Sequence, residues 1–476
     1  MVVDSGAAVS IASGETATIL AGQSLTVESG ASLTIAANGS LTNAGMLTNE
    51  GILTNGGTLT NNGSLTSNGT FTNNGTLLNT GTLVNTGSYT GNRPTGSGTI
   101  SGIDMDYTIS TNVTGTQLQG YFDQYNNVMV ASGGEVTIAA GESVTIPAGK
   151  SLTLESGGAL TNAGTLTNEG TITDSAAIFN SSSGQINNYG NLTFNFVEGG
   201  SYAAPENNGT ITNYAGGTMT TNTSLTNKGT IHNAGTLNIN SNMNNWCTDS
   251  SSNVSLTNTG TITITSTLWN RRESDAPAPV ITNSGTIALE GGTINNDGNL
   301  TNSGTITISG ESARLSNGGT LTVASTGTIT NNSTAGAVGT DYENTTGITN
   351  DGTLNVAGTI INSGWLGNGN GDAASTFGTI TIQDGGRITN NGTIRNYACS
   401  ASGSYNTIAI EAGGTLTSSA AASITNCGRI TVSGTLTNDG TYSGSVVNGN
   451  TTYTGTVTNS GGTIDGSNKE QITVTP

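Results

Sequence analysis

The run Gly39-Ser40-Leu41-Thr42-Asn43-Ala44-Gly45-Met46-Leu47-Thr48-Asn49-Glu50-Gly51-Ile52-Leu53-Thr54-Asn55 decides the fold. Glycine recurs every six residues from Gly39 to Gly87, and two residues after each one comes a large apolar residue, from Leu41 to Tyr89. Two further on, the residue is usually asparagine, as at Asn43, Asn49 and Asn55. One apolar residue in six does not fit the helical period of about 3.6. On a strand, residues two apart face the same way, so glycine and leucine share a face and the flanking threonines face water. The Asn-x-Gly step reads as a corner, because both residues tolerate positive φ.

A single short strand cannot bury its leucine alone, so the units must stack. The reading is an all-β fold, a parallel β-solenoid (β-helix) of stacked coils with one short capping helix. Three six-residue sides make a coil of roughly 18 residues, with leucines in an interior column and asparagines laddered at the corners.

Composition agrees. Glycine supplies 72 of 476 residues, charged residues only 8% and aromatics 4%, against about 25% charged in an ordinary globular domain. Ten basic against 29 acidic residues give a net charge of −19, which argues against nucleic acid or an anionic membrane as partner. No apolar run is long enough for membrane insertion as a helix. Met1-Val2-Val3-Asp4 lacks the basic start and apolar stretch of a signal peptide. Cys247, Cys399 and Cys427 are far apart and without CxxC spacing, so no zinc site or disulfide framework is indicated. A Cys399–Cys427 bridge about one coil apart and buried free thiols both stay open.

Along the chain, residues 1–100 form a first solenoid body. Its opening has an eight-residue spacing, Leu25, Leu33, Leu41, ahead of the hexads. Residues 101–131 are a linker in which Leu118, Tyr121, Phe122 and Tyr125 fall at helical spacing. We read a short amphipathic helix over 116–128, placed to cover the apolar end of a coil. Residues 132–476 form a second body. Gly141–Gly157 repeats Gly14–Gly30 at an offset of 127, so the chain holds two starts of one solenoid. Units such as Gly260-Thr261-Ile262-Thr263-Ile264, and those at 304–308 and 378–382, predict longer sides and a wider coil. Stretches 241–256, 267–280, 333–346, 366–376 and 396–408 break the pattern and read as loops, where binding commonly resides.

No catalytic constellation is visible. The one histidine, His232, takes a threonine place. Asp104 and Asp106 are the nearest approach to an acidic pair, in the linker. No metal and no cofactor are called. The binding candidates are loop residues: Trp246, Trp269 with Arg271 and Arg272, Tyr342, and Trp365. Aromatic rings with polar neighbours suit sugar stacking or protein contact; alternatively each tryptophan packs its own loop back onto the solenoid.

The G-T-L-T-N-x-G-T-I-T-N run, with Val144-Thr145-Ile146-Pro147-Ala148-Gly149-Lys150-Ser151-Leu152-Thr153-Leu154 before it, resembles the β-strand-repeat surface proteins of bacteria. These are adhesin-like chains akin to haemagglutinin-repeat and autotransporter passenger domains. The resemblance implies export, an extracellular or cell-surface location and a non-enzymatic role. The first expectation is an adhesin or stalk that binds a host or environmental glycan or protein through the second body. The second is a filament subunit that self-associates head to tail, because Gln471-Ile472-Thr473-Val474-Thr475-Pro476 is strand-like without an evident cap. The third is a polysaccharide-active enzyme on the same scaffold.

Overall fold

The computed structural model describes residues 1–103, 106–195, 204–250, 253–333, 346–369, 377–397, 406–448, 451–454, 456–459 and 461–475. Most repeats are four-residue strands, and along most of the chain a strand pairs in parallel with the strand three places on. Ser64–Ser67, for example, lies between Met46–Asn49 and Thr82–Asn85. Three parallel sheets therefore wrap one interior, which is a β-solenoid. The chain forms two compact units, Met1–Asp106 and Tyr107–Pro476, each with three long sheets. Leu47, Leu53 and Leu59 are fully buried inside the first unit. Coil length follows the spacing of the glycines. Val9 pairs with Leu33, a 24-residue coil, and Leu41 pairs with Leu59, an 18-residue coil.

The asparagine is not a corner residue. It is the last residue of the strand, points inward, and is fully buried at Asn43, Asn61 and Asn79. Asn43 Nδ2 donates to Asn61 Oδ1 at 2.7 Å, and Asn61 Nδ2 to Asn79 Oδ1 at 2.6 Å. The second proton of Asn61 Nδ2 goes to the Thr82 carbonyl at 2.9 Å. The ladder is thus a core column, and buried amides are tolerated because each finds partners in the next coil.

Nor is positive φ the reason for the hexad glycines. Gly14 and Gly22, at the eight-residue corners, have φ of 79° and 80°. Gly63 and its hexad neighbours do not share that conformation; a Cβ on Gly63 would lie 2.1 Å from the Gly45 carbonyl oxygen. Bare backbone is required there because successive coils touch through it, and Ser64 N donates to that same oxygen at 2.9 Å.

The longer side forms at 304–308, where the strand Thr305–Gly310 runs six residues and pairs with Thr328–Ser333, but not at 260–264 or 378–382. Ile264 and Ile382 end ordinary four-residue strands and take the interior place that asparagine takes elsewhere. The cross-section stays three-sided, and extra residues go into the connections between strands. Parts of the stretches read as loops are strands: Met243–Cys247, Thr267–Arg272 and Trp365–Asn368.

The helix spans Gly115–Phe122, shorter than the 116–128 expected. It starts on a capping box in which Thr114 Oγ1 accepts from Gln117 N and Gln117 Oε1 accepts from Thr114 N. Leu118 and Phe122 are buried, whereas Tyr125 lies past the helix and packs on Tyr107. The helix covers Ser143–Ile146, the first strand of its sheet, and Gln119 Oε1 accepts the Thr145 N–H at 2.7 Å. Near the other end of this unit, the turn Lys469–Gln471 brings Gln471 Oε1 to the Tyr442 N–H at 2.9 Å. Gln471 thus covers the edge of Thr441–Ser443, while Val474–Thr475 is itself strand, paired on one side with Thr456–Asn459.

One interior rung carries a charge. Asp174 sits between Leu154 and Phe194, and burial pushes its carboxyl up to about 6 against an opposing hydrogen bond from Ala176 N–H. The folded value exceeds the unfolded one, so the fold favours the protonated form. Stability is greatest below about pH 4 and falls as pH rises through about 6, by on the order of 2–3 kcal/mol. Asp174→Asn should flatten that dependence in urea unfolding followed from pH 4 to 8; an unchanged slope would contradict the assignment. Within the first unit, Asn61→Ala orphans partners on both sides and should cost about 1–3 kcal/mol. Gly63→Ala should cost more, because its contact is with backbone; an equal or smaller loss of the urea midpoint would contradict such close stacking.

Candidate functional site: an aromatic and cationic strip

The interior ladder dictates what meets on the surface. In Leu268-Trp269-Asn270-Arg271, Leu268 and Asn270 face inward, so Trp269 and Arg271 face outward. In Met243-Asn244-Asn245-Trp246-Cys247, the same alternation turns Trp246 outward and Cys247 inward. The two strands are neighbours with Trp246 opposite Arg271 and Asn244 opposite Trp269. Asn227, Asn245 and Asn270 are linked rungs, which brings Lys228 into the same row.

The guanidinium carbon of Arg271 lies 4.7 Å from the Trp246 ring centre and 5.7 Å from that of Trp269. Lys228 Nζ lies 5.8 Å from the Trp246 ring. All three distances suit cation–π attraction. Lys228 also pairs with Glu206 at 2.8 Å, and Asn208 donates to the other Glu206 oxygen at 2.8 Å. Burial alone would raise the Glu206 carboxyl, but the bonds from Lys228 and Asn208 and the lysine charge hold it below the usual carboxylate range. The result is a row of two indoles bridged by a guanidinium, with an ammonium at one end and rungs of threonine and asparagine around it.

Trp246 and Trp269 are thus strand residues and not loop residues, and the structure brings them together with Arg271. It does not bring Arg272 along. That side chain sits opposite Cys247, one residue out of phase, and its Nη1 donates to the Ala276 carbonyl at 3.4 Å. There it ties down the turn whose Ala276 packs with Cys247 and Val254 in a small satellite core. Burial raises the Cys247 thiol. Trp365 lies on the same sheet, four strands beyond Trp269, or roughly 19 Å at 4.8 Å per strand. Its ring is 6.4 Å from Tyr397, which carries Arg395 at 4.6 Å. This is a separate and smaller cluster. Tyr342, with Asp341 and Glu343, falls outside the described residues, as do Asp104 and Cys399, so the Cys399–Cys427 alternative lies outside them too. His232 is an exposed outward rung between Thr212 and Thr257.

Glu206 and Lys228 escaped the sequence reading, as did Tyr189 and Tyr214, which stack at 4.1 Å and 9°. A signal was present. Tyr189, Tyr214, Lys228, Trp246, Arg271 and Tyr397 each directly follow a buried ladder asparagine. That position is where this solenoid places large side chains, exposed at Tyr189 and buried at Tyr397.

A family profile described as "Haemagglutinin repeat" matches residues 4–87, 54–101, 131–195, 203–266 and 278–333, more than half of the chain. No curated protein matches the chain. Among solved structures, the chain is similar to a TibC-catalysed hyper-glycosylated fragment of TibA. That likeness has 17% identity over 76% of this chain and 92% of the fragment, at a TM-score of 0.24, too low to carry a structural argument.

Proposed function

This chain belongs to the haemagglutinin-repeat family, and from that premise we propose an exported, surface-located, non-enzymatic adhesin that binds glycan through the Lys228–Trp246–Arg271–Trp269 strip. The observation that carries the reading is the Arg271 guanidinium set against two outward indoles. Indole faces take the apolar C–H faces of sugar rings, and the guanidinium supplies a fork of donors for ring hydroxyls or a carboxylate. Lys228 is balanced by Glu206, so the Arg271 guanidinium supplies the positive charge that draws an acidic sugar to the strip. A rigid sheet holds the rings in place before the ligand arrives, which limits the ordering cost of binding. Ligand is held by stacking and charge, and no bond is made or broken. Trp365 lies further along the same sheet against the buried Tyr397 and stands outside the strip.

The proposal is tested on a glycan array with the full chain. Trp246→Ala and Arg271→Ala should each weaken binding at least about tenfold, the loss of one anchor worth about 1.4 kcal/mol. Trp365→Ala should leave binding to the first strip within about twofold. Binding unchanged by both strip substitutions, or no glycan bound by the unaltered chain, would remove the assignment.

A further inference from the structure

Residues that follow linked rungs fall into a column of their own, and at one corner of the second unit this brings two tyrosines together. Asn188 Nδ2 donates to Asn213 Oδ1 at 2.7 Å, and their strands Gln185–Asn188 and Thr210–Asn213 pair in register. Tyr189 and Tyr214 come directly after these rungs, and Tyr214 N donates to the Asn188 carbonyl at 2.9 Å. The two backbones are thus held one coil apart. The rings lie one over the other, with centres 4.1 Å apart and planes within 9° of parallel. A hydrogen bond with the Tyr214 side chain is the main reason the Tyr189 phenol is raised above its usual range, so the two hydroxyls lie at the same side of the stack. Ortho carbon then faces ortho carbon.

The stack holds two rings, because Glu169 precedes Tyr189 in the column and Ala234 follows Tyr214. Tyr189 is 46% exposed and Tyr214 half-buried, so a reagent in solution reaches the pair without the fold opening. Tyr107 and Tyr121 also stack, at 4.0 Å, but their planes are 27° apart and Tyr125 lies against Tyr107 at 4.7 Å. Both of those rings are half-buried. They serve as an internal comparison.

We propose that Tyr189 and Tyr214 form a modification site, at which a one-electron oxidant fed by hydrogen peroxide joins the rings as dityrosine and staples two successive coils. Each phenol gives up one electron and its hydroxyl proton. The unpaired density of a phenoxyl radical lies partly on its ortho carbons, and one C–C bond forms between the facing pair. Each ring then loses its ortho hydrogen as a proton, regains one at oxygen and becomes aromatic again. Two phenols and one hydrogen peroxide become one biaryl and two waters. Because the sheet already holds the reacting carbons face to face, coupling is a step within one chain and needs no encounter between chains. The new bond closes a loop of 25 residues, which restricts the coil when it opens. The inference stands whether or not the strip takes glycan.

The full chain is treated with a haem peroxidase and hydrogen peroxide, and dityrosine fluorescence and Glu-specific peptides are followed. Cleavage after Glu169, Glu198, Glu206 and Glu273 leaves Tyr189 in 170–198 and Tyr214 in 207–273. The product is therefore a joined peptide, lighter by two hydrogens than its parts. It should form at a rate independent of protein concentration and at least about tenfold faster than a Tyr107–Tyr121 product. Tyr189→Phe and Tyr214→Phe should each abolish it. In the joined chain, amide hydrogen exchange over 186–213 should slow several-fold, with no such change in the treated Tyr214→Phe chain. A joined peptide that forms only between chains, or that survives Tyr214→Phe, would overturn the proposal. So would its absence under conditions that couple free tyrosine, and exchange over 186–213 that is unchanged after joining would overturn the staple.

Discussion

A buried primary amide must find partners for both of its protons and for its oxygen, and this requirement organises the protein. Most ladder asparagines donate one proton to the next rung and one to a strand carbonyl of the coil beyond, as Asn213 does to Asn233 at 2.7 Å and to Thr236 at 2.9 Å; Asn302, which meets Val323 as its next rung, donates to the Gly304 and Thr328 carbonyls. A slip of one residue would place an amide against leucine and turn the apolar set to water. Apolar burial supplies the driving force for stacking, but leucine columns alone would tolerate displacement along the strand. The amides do not, so coils of 18, 20, 25 and 33 residues all return to the same phase.

That fixed phase explains how an irregular chain keeps a regular core. Insertions are absorbed at the corners, outside the hydrogen-bonded rungs, where loop length has a small entropic cost. It also explains the strip. Lys228, Trp246 and Arg271 are far apart in sequence, yet each follows a rung, so the ladder lines them up as it aligns itself. Asp174 shows the reverse case: a rung flanked by Leu154 and Phe194 has no amide above or below it, and burial raises its carboxyl to about 6. Where columns end, the exposed rungs are met by side chains that imitate the missing coil. Gln119 and Gln471 place an amide oxygen on an edge N–H at the two ends of the second unit.

Much of the architecture was legible in the six-residue spacing. Leu41-x-Asn43 and its repeats imply strands, parallel stacking, an interior column and a coil of three sides, because strand periodicity admits few other ways to bury one residue in six. The capping helix was legible from Leu118, Tyr121 and Phe122. The sequence did not determine which role glycine and asparagine play. Both are corner residues in most proteins, and only the close approach of Gly63 to the Gly45 carbonyl and the burial of Asn61 show that here one makes room for backbone and the other pairs inside. Nor did it place the tryptophans. Irregular composition near Trp246 and Trp269 reads as loop, although the underlying Met-x-Asn and Leu-x-Asn phase was intact. The pairing of Trp246 with Arg271 was decided by tertiary structure, because it depends on how many residues each coil spends at its corners, and that number is set by which rungs close a hydrogen-bonded ladder and by no local preference of the chain.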